Sequence, residues 1–192
     1  MRQQNKPPNF AAIALKIKKG RPRIVAIEAA KFFKDCFVKG GFTNESFDKW
    51  AEGTSPLRGK KTLIGYRNTM NLMQSIRTLE KSENRVRTGS QLVYSEIHND
   101  GGIITVTEKM KKYWWARYIE FAGKVKMNKD GKSMRITKSN RKFGAKAEFC
   151  KGMALMEVGT KIKIPKRQYI GESKTLFKTL DEWFQSIVDE LE

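Results

Sequence analysis

The residues with chemistry for nucleophilic or acid–base work are few in this chain: one histidine, His98, two cysteines, Cys36 and Cys150, and scattered serines. A Ser-His-Asp or Cys-His centre would have to use His98, since there is no other imidazole. Ser95 and Glu96 are its close neighbours in sequence, but residues 93–97 read as extended. Successive residues of a strand point to opposite faces, so the three do not converge. An imidazole at the end of a strand, before Asn99-Asp100-Gly101-Gly102, can instead donate to one carbonyl and accept from one amide and so fix the turn. Gly101 and Gly102 there supply positive φ or close backbone approach. Cys36 falls beside an apolar stripe and reads as a buried thiol. A zinc site needs four Cys/His ligands close together, which two cysteines and one histidine cannot supply. The carboxylates are dispersed among lysines, which disfavours a Mg²⁺ centre. No GxxxxGK[ST] or GxGxxG phosphate loop occurs. The expectation is a chain with no catalytic residues, no metal and no cofactor.

The elements that must position these residues belong to a strongly basic protein. Its 192 residues carry 39 Lys+Arg against 20 Asp+Glu, a formal net charge of +19. The 11 Phe, 5 Tyr and 4 Trp are far too many for a disordered chain. The length suits one domain spanning 1–192, or a domain with a sizeable insertion. No apolar run approaches the roughly 20 residues that cross a bilayer, and the first ten residues have no signal-peptide core, so no membrane partner is expected.

The charge is uneven. Residues 107–172 hold 18 basic and 6 acidic side chains, whereas residues 173–192 hold 2 and 5. The densest stretch contains Lys124, Lys126, Lys129, Lys132, Arg135, Lys138, Arg141, Lys142 and Lys146, opposed by Asp130 alone. Such a stretch can track a phosphate backbone or meet the acidic surface of a protein partner. It carries no aromatic residue to stack on bases, only Phe143 beside it, which argues against single-strand readout.

Periodicity predicts the elements. Residues 1–21 read as a flexible basic leader. A helix is expected from Pro22, with Ala30, Phe33 and Phe37 along it and Gly40-Gly41 as its stop. Residues 42–61 read as an irregular connection pinned to the core by Phe42, Phe47 and Trp50. A short helix around Met70 and Met73 leads to a strand near residues 85–87. Residues 103–107 alternate as a strand. Thr107 caps a helix through Phe121, with Met110, Trp114 and Tyr118 on its apolar side and Gly123 as its end. Residues 124–127 and 133–137 read as strands joined through an Asp-Gly turn. Residues 143–156 read as a helix and residues 160–164 as a strand ended by Pro165. Ser173 caps a last helix that buries about six large side chains, Leu176, Leu180, Trp183 and Ile187 among them, at ~1.5–3 kcal/mol each. Its outer face, Asp181, Glu182, Asp189 and Glu190, is left free to meet a basic surface. The fold class is therefore α+β: a small antiparallel sheet packed with an N-terminal helix and a C-terminal amphipathic helix, plus a helix–hairpin–helix insertion at 107–160.

Two segments carry a resemblance. Tyr94-Ser95-Glu96-Ile97-His98, followed by Gly101 and Gly102, resembles the Tyr-Ala-x-Ile-His segment and glycines of the phage virion morphogenesis family, the Mu-type tail-completion and head–tail joining proteins. Ile164-Pro165-Lys166-Arg167-Gln168-Tyr169-Ile170-Gly171 is similar to that family's later Ile-Pro-x-Arg-x-Phe/Tyr-hydrophobic-Gly segment. As in the family, a polar step and an amphipathic helix follow. The upstream helix and the loop Phe47-Asp48-Lys49-Trp50 match in order. Ser95 stands where Ala is usual, Asn99-Asp100 replaces a bulky residue, and residues 107–160 exceed the family's length.

The resemblance implies a non-enzymatic structural protein of the virion neck or head-proximal tail end, made in the host bacterial cytoplasm. Its implied partners are further copies of itself in a ring, hexameric by resemblance, and tail-tube and head-connector proteins, with packaged DNA nearby. Arg167 is placed either to pair with a carboxylate, on a neighbouring subunit, or to stand as a plain surface arginine. A ring also offers the acidic last helix a basic patch on the next subunit. A free basic nucleic-acid-binding protein is the alternative.

Overall fold

The computed structural model describes residues 10–57, 61–65, 68–129, 131 and 133–189. Lys132 and Glu190, both candidate contact residues, lie outside these, as do Asp130, Leu191 and residues 1–9 of the expected leader. The described residues form an α+β structure of six helices and three two-stranded antiparallel sheets. One small sheet was expected. The strands are only three to five residues long, and each pairs with a single partner. The chain divides into two compact units, Met1–Trp50 with Met70–Ser95 and Gln168–Glu192, and Ala51–Thr69 with Glu96–Arg167.

The first unit is built on α1 (Phe10–Lys39). The helix starts well before Pro22, which lies inside it, so residues 10–21 are helical. Proline removes only one amide donor, and the helix continues through that gap. Ala26, Ala29, Phe33, Cys36 and Phe37 form its buried stripe. Glycine follows as expected, with Gly40 at φ 75° donating to the Cys36 carbonyl at 2.8 Å. Residues 42–49 are not irregular: β1 (Gly41–Thr43) pairs with β2 (Phe47–Lys49) as a tight hairpin. Of its aromatic pins, Phe42 and Trp50 are buried and Phe47 is exposed. After α2 (Asn71–Gln74), β3 (Arg77–Lys81) and β4 (Val86–Gly89) form a second hairpin that packs on α1.

The last helix, α6 (Lys174–Asp189), also packs on α1. Ser173 is its cap as expected: its Oγ accepts from the Leu176 amide and donates to the Thr43 carbonyl at 2.7 Å. Among its described side chains, Leu176 and Leu180 are buried, Trp183, Phe184 and Ile187 are half-buried and Phe177 is exposed. Trp183 and Ile187, expected in the core, are thus only partly covered.

The second unit pairs α4 (Glu108–Ala122) with α5 (Lys138–Leu155). Both begin on threonine caps. Thr107 Oγ1 accepts from the Met110 amide, and Thr137 Oγ1 accepts from the Asn140 amide. The second cap explains why α5 starts before Phe143. Phe121, Ala147 and Cys150 are the buried centre, with Trp114, Tyr118, Phe143 and Phe149 packed around them. Between the helices the two expected strands reduce to one bridge, Met127 to Met134. Side-chain hydrogen bonding takes over there, as described below. β5 (Gly102–Thr105) pairs with β6 (Lys161–Ile164).

Candidate functional site

The two segments that carry the resemblance are joined to each other backbone to backbone. In the second unit, β5 and β6 pair Gly102 with Ile164. The Arg167 amide donates to the His98 carbonyl at 3.0 Å. Gly101 sits at φ 76°, and a Cβ there would stand 2.8 Å from the Lys166 nitrogen and 3.1 Å from the Ile164 oxygen. A side chain at this position would therefore be excluded both by its φ and by its neighbours. Pro165, exposed, ends the strand without needing to donate.

His98 does not end a strand. Residues Ser95–Asp100 form a short helix, α3, which the extended reading of residues 93–97 missed. The legible signal was at its end. Asn99-Asp100-Gly101 is a helix C-terminus with a left-handed glycine as readily as it is a strand turn. Burial, and then the Arg167 guanidinium, push the His98 imidazole below its ordinary pKa, so it is neutral at pH 7. Arg167 is not a surface arginine. It is buried, with Nε donating to the Ala51 carbonyl at 2.9 Å, and burial lowers its own pKa.

In the first unit, Tyr169 is buried, and its hydroxyl donates to the Ser95 carbonyl at 2.7 Å. Its ring lies 5.0 Å from that of Phe37, which lies 5.4 Å from Trp50. Trp50 Nε1 donates to the Gln168 carbonyl at 2.7 Å. The motif's aromatic residue and the loop tryptophan thus clamp one segment onto α1, each polar tip finding a backbone acceptor. Ile97, Ile164 and Gly171 are half-buried, while Tyr94 and Gly102 are exposed.

The basic candidates separate. Lys124, Lys126, Lys129, Arg135, Lys138, Arg141 and Lys142 are exposed. Lys146 is buried instead, its ammonium 5.5 Å from the centre of the Phe121 ring. Lys124 bonds Glu120 at 2.7 Å and also reaches that ring. The stretch between α4 and α5 is held by Asn140, which is buried and was not singled out in the sequence. Its Oδ1 accepts from the Lys126 amide at 3.1 Å, and its Nδ2 donates to the carbonyls of Lys126 at 2.7 Å and Arg135 at 2.9 Å. A polar residue three positions after a capping threonine was the available signal. Asp181, Glu182 and Asp189 are exposed on α6; Lys178 lies 3.7 Å from Glu182, and Gln185 donates to Asp189.

Burial pushes the Cys36 thiol up to about 11 and raises that of Cys150 as well, so neither is a ready nucleophile. Among the described residues, no group of three or more His, Cys, Asp or Glu could hold a metal ion, and no helix is long and apolar enough to cross a membrane. No family model, no curated protein and no solved structure matches this chain.

Proposed function

We propose that the protein is a non-enzymatic assembly subunit of a tailed phage or prophage virion, acting at the neck or head-proximal tail end as a ring component. The observation that carries the reading is the joining of residues 94–102 to residues 164–171. These are the two segments on which the resemblance rests, far apart in sequence and hydrogen-bonded here through Arg167 and His98, Tyr169 and Ser95, and the pairing of Gly102 with Ile164. Their chemistry suits a scaffold. The imidazole is kept neutral, the guanidinium is turned onto a backbone carbonyl, and the tyrosine is buried. In this reading residues 107–160 are a helix–hairpin–helix insertion on the family domain, and the exposed lysines and arginines between α4 and α5 face packaged DNA or an acidic connector protein. Tail-tube and head-connector proteins are the partners, and the virion is the site of action after assembly in the host cytoplasm.

Native mass spectrometry of the full chain and a duplex-DNA titration at two salt concentrations test this reading. A closed oligomer is expected, with DNA binding that is weak at physiological ionic strength. A monomer that binds duplex tightly there, with a steep salt slope, would overturn the reading in favour of a free nucleic-acid-binding protein.

A further inference from the structure

Six exposed cations of the second unit stand close together in the chain. Lys126, Lys129 and Arg135 lie between α4 and α5, and Lys138, Arg141 and Lys142 open α5. None of the six is in an ion pair among the described residues. The carboxylates nearest in the chain do not serve them. Glu120 is taken by Arg117 and by Lys124, the latter at 2.7 Å. Glu148 lies two turns, about 10 Å, along α5 from Arg141. Asp130 lies outside the described residues.

Two of their placements set like charges side by side. The Arg135 amide donates to the Lys126 carbonyl at 3.0 Å, next to the Met127–Met134 bridge, so Lys126 and Arg135 stand opposite each other. Like charges directly opposite in such a pair repel. Lys138, Arg141 and Lys142 are spaced three and four residues apart, so they share one side of α5. They also sit at the positive end of its dipole, where cations are unfavourable, and the first turn holds no acidic residue. The buried Asn140 bonds the backbone at Lys126 and at Arg135 and so holds the first pair together against its repulsion. Repulsion of this kind is relieved when a polyanion covers the surface.

We infer that this surface holds the sugar–phosphate backbone of duplex DNA without reading its sequence. Four of the six cations are lysines, which protein interfaces deplete and phosphate contacts use as point charges. The exposed large apolar residues among them are Met127, Met134 and Ile136. Phe143, the one aromatic residue of the stretch, packs around Phe121 instead. A protein interface is enriched in aromatic residues and a single strand stacks on them, and the stretch exposes none for either. The inference rests on the reading above only in that packaged DNA is near, and it selects DNA over an acidic connector protein as what these residues face.

The test is a salt titration of the full chain against a short fluorescent duplex, followed by anisotropy. With all six cations on phosphates, log affinity falls with log salt at a slope of about −5 per bound subunit, roughly 300-fold between 50 and 150 mM. Lys138→Gln with Arg141→Gln and Lys142→Gln should make the slope shallower by about 3, since each lost phosphate contact removes about 0.9. Lys161→Gln with Lys163→Gln and Lys166→Gln removes the same charge from exposed positions on and beside β6 and should keep the wild-type slope. All these positions are exposed, so both variants should keep the wild-type circular dichroism spectrum. Equal slopes in the two variants would assign the binding to net charge and overturn this surface. A wild-type chain that ignores duplex at 50 mM salt would also overturn it, and its capture of polyglutamate instead would point to an acidic protein partner. Tighter binding to a single strand than to duplex would overturn the duplex as the partner. Each of these failures leaves ring closure, read separately by native mass spectrometry, untouched. Tight duplex binding by a monomer at 150 mM salt, abolished in the α5 variant, would keep this surface and overturn the ring reading.

Discussion

Asn140→Ala tests how the basic stretch is held in shape. The buried amide makes three hydrogen bonds to backbone, one from the Lys126 amide and one each to the Lys126 and Arg135 carbonyls. A bond of this kind contributes about 0.5–1.5 kcal/mol net, which sets an upper range near 4.5 kcal/mol for the set. Two of the backbone partners are not orphaned. The Lys126 carbonyl still accepts from the Arg135 amide, and the Arg135 carbonyl from the Thr137 amide, each at 3.0 Å. The Lys126 amide alone loses its acceptor. Alanine also offsets roughly 0.5 kcal/mol through its better helix propensity. The expected loss is therefore about 2 kcal/mol. Asn140→Asp sharpens the test. It keeps the acceptor but loses both donors, and it turns an anionic oxygen toward two carbonyls. The helix N-terminus offsets only about 0.3–1 kcal/mol of that, so aspartate should destabilise at least as much as alanine. Urea unfolding followed by tryptophan fluorescence gives the stability, and amide exchange at Lys126 gives the local effect, expected at tenfold or faster. A loss below about 0.5 kcal/mol together with unchanged Lys126 exchange would refute the assignment of Asn140 as the clamp.

Three further outcomes follow from the same structure. Tyr169→Phe removes only the bond to Ser95 and should cost about 1 kcal/mol, whereas Tyr169→Ala empties a buried site beside Phe37 and should cost about 3–5 kcal/mol; equal effects in thermal melts would contradict this packing. The folded His98 pKa lies below the unfolded value, so the unfolded chain takes up the proton first; stability is full above about pH 6.5 and falls as pH drops through it. His98→Gln should flatten that loss in melting temperatures compared between pH 7.5 and pH 5.5, and an unchanged profile would remove the imidazole from the account. Cys36 and Cys150, both buried and raised in pKa, should resist a thiol reagent at pH 8 and react at once in denaturant; rapid labelling of the native chain would contradict their burial.

Much was legible in the sequence because it depends on neighbours a few residues apart. The Thr107 and Ser173 caps, the helix between Thr107 and Gly123, the strand before Pro165 and the α+β class all follow from local hydrogen-bonding demands and hydrophobic period. So does the separation of charge along the chain, which is set by the order of residues alone. Local pattern failed where two readings were equally good. Asn-Asp-Gly ends a helix or turns a strand, and α3 was missed for that reason. Pro22 starts a helix or interrupts one, and α1 runs through it.

What only the tertiary structure decided is which distant groups share an environment. Arg167 looks like any arginine until the Ala51 carbonyl meets its guanidinium. Lys146 belongs to a basic run until the Phe121 ring buries it. Asn140 is one polar residue among many until the backbone at Lys126 and at Arg135 closes on its amide. In each case the deciding energy is the desolvation of a polar group offset by a partner far along the chain, a pairing that no local window of sequence contains. The exposed large residues of α4 are the converse: periodicity placed Trp114 and Tyr118 inward, but only the packing of α5 showed that Tyr113, Trp115 and Ile119 are left outside.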